Sequence, residues 1–541
     1  MPSPTARQDP PPSSLSTGDA RCPHGWALVL VLLLACAAYL PSLTGGWVWD
    51  DWVQVAHNPT LDRPLTLLSG DIRAGTAAAP THHYRPLVML SHLPAHALGL
   101  GPRAERGVNL GLHLLAVLLV YEIALRLGAR RPGAWLGAAV LAVHPGASEA
   151  VAWISGRHDL VPAVLLLGAW WAFLGQRVWL AGALLALTPF CKETYLVVPL
   201  CAALWALGAR RPAWPMLALS LVGVLVYLGL RHHLGLALPL GATLGGFAGA
   251  AGAMAQRGLQ LTFLPLAPDA VPPFAPHPAL GLAAMAAGLG LLPLARGRPA
   301  IAGFLACALL LGPSSLAARR LGLVGDRYFY VFFCGLGALL AVGVRAECSR
   351  LASGALAAGL ALLTSARASQ WTSDHALFAA SLTRDPHNPH AAFHLAYDLH
   401  TRADDCASAI PLYERGLAAD VRAGTNMLAC LNELGRHREA ATRGAALASA
   451  HPEHLGLAKN TAEAFASLGQ LAQAEAWCQR AIALAPERCD LQVMLGNLLG
   501  QQGRLDEAEA AFEAALRLGA ACAPQARQGM AAVAANRTPP L

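Results

Sequence analysis

The sequence predicts an all-α protein in two parts, a polytopic membrane domain followed by an α-solenoid. Three observations carry that reading. The chain is 55% hydrophobic and only 13% charged, with a mean hydropathy of +0.44, whereas soluble proteins carry about 25% charged residues. Apolar runs long enough to cross a bilayer recur from residue 26 to residue 368. Beyond Trp371 the aromatics thin out, and Gly435, Gly469 and Gly503 mark a 34-residue period.

Residues 1–25 are rich in Pro and Ser and read as a disordered cytoplasmic tail. The first apolar run, Trp26 to Leu43, reads as an uncleaved first span. Further spans begin near Val108, Gly133, Leu160, Val178, Thr194, Ala213, Ala279, Pro299, Tyr328 and Leu351, about eleven in all. The membrane domain is thus 26–368, with a first outer loop at 44–106. Residues 369–388 form a junction helix, 389–525 the repeats and 526–541 a tail.

Basic residues orient the membrane domain. With a cytoplasmic N-terminus, Arg130-Arg131, Arg177, Arg210-Arg211, Arg296, Arg298, Arg345 and Arg350 all fall inside. Arg319-Arg320 is the exception and becomes a candidate anion site. The repeats then lie on the non-cytoplasmic side, a periplasm or a lumen. The Ala- and Arg-rich composition suits a GC-rich genome and a bacterial inner membrane.

In the solenoid, Ala440, Ala474 and Ala508 keep the same period, as do Pro452 and Pro486. Gly at the first turn, a small Ala in the second helix and Pro at the end form the tetratricopeptide pattern. About four repeats fit between 389 and 520, the first (Ala409, Tyr413, Leu417) slightly out of phase. The twelve cysteines contain no Cys-x-x-Cys pair, so neither a zinc site nor a disulfide framework is expected.

The chemistry-bearing residues collect on the predicted outer face. Asp50 and Asp51 follow the first span, flanked by Trp47, Trp49 and Trp52. Like charges resist ionising together, so such a pair is costly to keep without a task. His82-His83-Tyr84-Arg85-Pro86 follows, then His92 and His96 one helical turn apart. Those two histidines suit a shared metal or, more blandly, a wetted interfacial helix. Arg85 is placed to meet a phosphate or to neutralise the aspartates.

His144 and Glu149 sit in one outer turn, with Arg157, His158 and Asp159 just beyond. A Glu149–Arg157 or Asp159–Arg157 pair pinning two helices is the structural alternative to a site. Lys192, the one lysine of the membrane half, stands beside Glu193.

Trp49-Asp50-Asp51 with His57-Asn58-Pro59, then Tyr84-Arg85-Pro86-Leu87, resembles the first outer loop of the transmembrane and tetratricopeptide-repeat O-mannosyltransferases. Val108-Asn109-Leu110 with His113, His144-Pro145 with Glu149-Ala150-Val151, Gly156-Arg157 and Lys192-Glu193 follow in that family's order. Asp326-Arg327-Tyr328 with Tyr330 resembles a late family segment in which Glu stands for Asp326. Trp371, Leu377-Phe378 and Pro386 resemble its junction. The resemblance spans roughly residues 40–520; the repeats are fewer than in the animal members.

The resemblance implies a GT-C fold and a glycosyltransferase taking a sugar, mannose among the candidates, from a polyprenyl-phosphate carrier. The acceptor is a hydroxyl of a protein or envelope glycan, which the repeats are expected to bind. Asp50 or Asp51 is the implied general base, with Asp51 preferred. Lys192, Arg319, Arg320 and Arg327 are candidates for the leaving phosphate. Tyr84, Arg85, His144, Glu149, Arg157, Asp159, Glu193, Asp326 and Tyr328 are supporting candidates. No cofactor is required by the sequence, although a divalent cation is admissible, and membrane lipid rather than nucleic acid is the expected surroundings. A membrane-anchored scaffold is the competing reading. A transporter is disfavoured because no inverted repeat of broken helices surrounds mid-membrane charges.

Overall fold

The computed structural model describes residues 24–72, 83–236, 243–265, 269, 271–344 and 350–537. His82, Arg345 and nearly all of the N-terminal tail lie outside them. The chain is all-helical. Among the described residues, seven helices are long and apolar enough to span a membrane: Trp26–Thr44, Pro102–Arg126, Trp214–His233, Pro278–Ala295, Pro299–Leu321, Asp326–Gly343 and Leu351–Thr372. The chain is a multi-pass membrane protein. Leucines and valines such as Leu221, Val222, Leu225 and Leu289 are exposed on these helices, as a face against lipid requires.

Against the expected count of about eleven spans, the described residues hold seven such helices, or eight if the bent pair is one span. The runs near Gly133, Val178 and Thr194 form helices of 12, 10 and 12 residues, and a span needs about 20. Each is bounded by a break: His144-Pro145 ends the first, Thr188-Pro189 the second, and Lys192 precedes the third. The run near Leu160 belongs to a bent pair, Pro145–Ala152 and Ile154–Leu174, which meet at 106°. Gly156 permits the bend, because a Cβ there would lie 2.4 Å from the Ala150 carbonyl oxygen. The bend turns Arg157, His158 and Asp159, all buried, into the protein.

Small residues set the tightest helix contacts. Helix Arg131–Ala142 packs on Tyr330–Gly343 so closely that a Cβ on Gly137 would stand 2.2 Å from the Gly337 oxygen, an approach typical of membrane helices. Trp170 and Trp205 stack at 6.0 Å inside the domain.

The C-terminal part is four helix pairs. Pro389–Arg402 pairs with Cys406–Gly416, Arg422–Glu433 with His437–Ala450, Leu455–Ser467 with Leu471–Leu484, and Cys489–Gln501 with Leu505–Leu518. Gly435, Gly469 and Gly503 adopt φ of +71°, +72° and +78° between the helices of their pairs, a conformation that favours glycine. The first pair turns instead on Asp404, at φ +53°. Asp404 precedes Gly435 by 31 residues rather than 34, which is why the first repeat reads out of phase. A last helix, Ala523–Arg537, covers the end of the stack, so most of the segment read as a tail is helical. Two disulfides, Cys406–Cys430 and Cys489–Cys522, join neighbouring elements of this array. Neither is expected from the cysteine spacing, since folding brings these residues together.

Candidate functional site

The chain leaving the first span is clamped before it reaches the paired aspartates. Gly46 N–H donates to the Thr372 carbonyl at 2.9 Å, and a Cβ on Gly45 would lie 2.6 Å from Thr372 Cα. The buried Arg106 guanidinium donates to the carbonyls of Gly45, Gly46, Ala152 and Trp371 at 2.6–2.9 Å. Trp49 then adopts a left-handed φ of +57°, rare for a bulky residue and sustained only where surroundings over-determine it. Its N–H donates to Asp374 Oδ1 at 2.6 Å. Its ring stacks on Trp153 at 5.2 Å, with the edges of Phe378 and His394 closing the cage.

That turn gives the two aspartates different environments. Asp51 is fully buried. Its Oδ1 accepts the N–H and Oγ–H of Ser155 at 2.9 and 2.7 Å, and its Oδ2 accepts Val48 N–H at 3.1 Å. Burial pushes its pKa up to about 7, although Ser155 and the Arg106 charge pull the other way. Asp50 is half-buried, and its Oδ2 accepts from Gln54 Nε2 at 3.0 Å. Gln54 Oε1 in turn accepts from His158 Nε2 at 2.9 Å. His158 therefore carries its proton on Nε2, leaving Nδ1 as an acceptor.

Three buried polar atoms beside this chain have no partner among the described residues: His158 Nδ1, Asp159 Oδ2 and Trp52 Nε1. Buried polar atoms are rarely left so without a ligand or water to meet them.

The cations stand next to these groups. Lys192 Nζ donates to Asp159 Oδ1 at 2.5 Å and lies 4.9 Å from the Tyr328 ring centroid. Arg327 pairs with buried Glu149 and lies over the Tyr328 and Trp153 rings at 4.7 and 5.1 Å. Arg85 donates through Nε and Nη2 to Glu193 at 3.0 and 2.9 Å. Glu193 also meets His83 at 3.3 Å and Arg231 at 3.5 Å. Arg85, Lys192, Arg231 and Arg327 thus stand among the carboxylates of Glu149, Asp159 and Glu193, with Asp50 at the far end of the Gln54–His158 link. The clustered cations can meet an anionic group, and the orphaned acceptor atoms can meet hydroxyls.

Several partners expected from the sequence are redistributed in the folded chain. Arg157 joins neither Glu149 nor Asp159. It pairs with Glu105 at 2.6 Å and donates to Asn109 Oδ1 at 2.7 Å. His92 and His96 do not converge on a metal: His92 is buried beside Glu105 and Arg157, whereas His96 meets Asp62 at 2.8 Å. Burial and the Arg157 charge hold His92 at about 4, hence neutral. His144 Nδ1 accepts Gly146 N–H and caps its own turn. Tyr84 donates to the Leu68 carbonyl at 2.9 Å. Asp326 pairs with Arg257 at 2.7 Å. Arg319 and Arg320 are exposed at the end of helix Leu311–Leu321 and take no part in the cluster's ion pairs.

Gln54, Ser155, Arg106, Asp374 and Arg402 escaped the sequence reading. Only Gln54 left a signal, its four-residue spacing from Asp50, which puts both on one helical face. Arg402 pairs with Asp374 and lies 4.7 Å over the Trp52 ring. The first repeat is thereby tied to the aspartate loop.

The architecture is thus a multi-span helical domain carrying a tetratricopeptide array. A tetratricopeptide-repeat family model matches residues 490–520. The protein O-mannosyl-transferase Tmtc1 of Drosophila melanogaster is 36% identical over 174 residues, 30% of this chain and 20% of that protein. The protein O-mannosyl-transferase TMTC1 of Mus musculus is 36% identical over 156 residues, 27% and 16% of the two chains. The chain is distantly homologous to these transferases, and the match spans about a fifth of their length. Among solved structures, a tetratricopeptide-repeat protein of Thermus thermophilus is 24% identical, covering 28% of this chain and 82% of its own, with a TM-score of 0.25.

Proposed function

We propose that this protein is a membrane glycosyltransferase of the GT-C kind, moving a sugar from a polyprenyl-phosphate donor to a hydroxyl of a protein or envelope glycan. The observation that carries the reading is the chain Asp50–Gln54–His158 ending beside Asp159, Lys192 and Arg327. A base and a cation cluster are held together by neighbouring residues of one helix start. The distant homology to O-mannosyltransferases supports it.

In this reading Asp50, not the preferred Asp51, takes the proton from the acceptor hydroxyl. Asp51 has both oxygens engaged by protein donors and no exposure, so it holds the turn. The acceptor oxygen attacks the anomeric carbon from the side opposite the phosphate, and the configuration inverts. Lys192 and Arg327 stabilise the charge growing on the departing polyprenyl phosphate. His158 Nδ1 accepts a sugar hydroxyl. The lipid tail of such a donor stays in the bilayer, which calls for a membrane enzyme.

In this reading the repeats present a protein acceptor, the first of them being tied to the aspartate loop through Arg402 and Asp374. We assign the array to the non-cytoplasmic face, where its two disulfides suit an oxidising compartment. The test is transfer by the purified protein in lipid nanodiscs, from polyprenyl-phosphate mannose and then from glucose and aminoarabinose donors. Transfer from one of them is expected. No transfer from any would favour a scaffold instead.

A further inference from the structure

The first two repeats bring together His400, Cys406, Cys430 and Glu433, whose ligand atoms all lie within 4.8 Å of one another. We propose that in the dithiol state of Cys406 and Cys430 these four residues form a tetrahedral zinc site. Three helices supply them. His400 lies in the last turn of Pro389–Arg402, and Cys406 opens Cys406–Gly416. Cys430 and Glu433 share a face of Arg422–Glu433, three residues apart.

The geometry suits zinc. Cys406 Sγ is 3.2 Å from Glu433 Oε2, and His400 Nε2 is 3.5 Å from Glu433 Oε1. Zinc–sulfur bonds of about 2.3 Å and zinc–nitrogen bonds of about 2.0 Å place ligand atoms at such separations. Two thiolates with an imidazole select zinc over magnesium or calcium. The histidine is already oriented, since its Nδ1 meets the Tyr413 hydroxyl at 3.1 Å. Nε2 then faces the other three ligands, the arrangement found around metal-bound histidines. Cys430 is buried, while the Glu433 side chain is 54% exposed. A cation therefore has a way in from solvent.

The same two sulfurs form the Cys406–Cys430 disulfide, so the states exclude each other. A thiol reductant that opens the disulfide supplies two electrons and two protons, giving two thiols. Zinc then displaces both protons as the thiolates bind. The second disulfide provides an internal control. Among the described residues no metal-ligating group of this kind includes Cys489 or Cys522.

The test uses the full chain in nanodiscs, reduced with a phosphine and titrated with zinc against a chromophoric chelator. One zinc per chain is expected, and none in the oxidised protein. Cobalt in place of zinc should give thiolate charge-transfer absorption and tetrahedral visible bands. Cys406→Ser abolishes binding, His400→Ala and Glu433→Gln weaken it at least tenfold, and Cys489→Ser leaves it intact. The two partly exposed ligands guard against a folding artefact. No zinc bound by the reduced wild type, or equal binding by Cys406→Ser and His400→Ala, would overturn the proposal.

Discussion

The backbone N–H of Trp49 donates to the Asp374 carboxylate at 2.6 Å, across 325 residues of sequence. Asp374 begins the junction helix and pairs with Arg402 of the first repeat. The conformation of the aspartate loop is therefore fixed by the part of the chain that joins the repeats to the membrane.

Asp374→Ala removes the acceptor that holds Trp49 in its left-handed conformation. A hydrogen bond to a charged group contributes roughly 1.5–3 kcal/mol. Thermal unfolding should fall accordingly, and transfer should fall through turnover rather than donor affinity. Asp374→Asn keeps an acceptor oxygen and should recover part of both. Equal losses in the two variants would contradict the assignment.

Asp51 makes stability depend on pH. Its folded pKa is raised from 3.8 to about 7, so the native state keeps a proton that the unfolded chain has lost. Stability therefore declines as pH rises from about 4 to about 7, and the loss is complete above that. Melting temperatures of wild type and Asp51→Asn between pH 4.5 and 8 check this. The variant should lose this part of the slope, and an unchanged slope would contradict the account.

Much of this was legible before folding was considered, and the division has a physical basis. Hydropathy located the membrane domain and the Gly435–Gly469–Gly503 period located the array, because both are repeated along the chain. The identities of Asp50, Lys192 and Arg327 stood out because ionisable groups are costly among apolar runs. Partnership was another matter. Arg157 meets Glu105, and Glu149 meets Arg327, because the 106° bend at Trp153 reorients the segment. No local pattern encodes that bend. Asp374 and the cysteine pairs were likewise invisible, since only tertiary folding gives them partners.

Lys192→Met leaves the Asp159 carboxylate buried and unpaired, which costs roughly 3–5 kcal/mol. The double variant Lys192→Met/Asp159→Asn should recover stability by removing that charge. Transfer should remain at least about a hundredfold below wild type, because in the proposed mechanism the leaving phosphate has lost a cation. Recovery of activity along with stability would reduce Lys192 to a structural role.

We read the Arg157–Glu105 pair, by contrast, as structural, since Arg157 is buried and engaged by protein partners. Glu105→Ala strands the buried Arg157 guanidinium and should cost roughly 3–5 kcal/mol. Protein that still folds should bind donor with wild-type KM, as measured by initial rates below the unfolding temperature. A large rise in KM at constant stability would place Arg157 in the site.

The central claim is that Asp50 is the base and Asp51 its support. The most direct measurement is single-turnover sugar transfer by Asp50→Asn in nanodiscs, beside wild type and Asp51→Asn, with donor binding measured on the same samples. The account predicts that Asp50→Asn binds donor normally but transfers at least about a hundredfold more slowly, while folded Asp51→Asn keeps measurable transfer. Wild-type turnover by Asp50→Asn, with loss confined to Asp51→Asn, would contradict it.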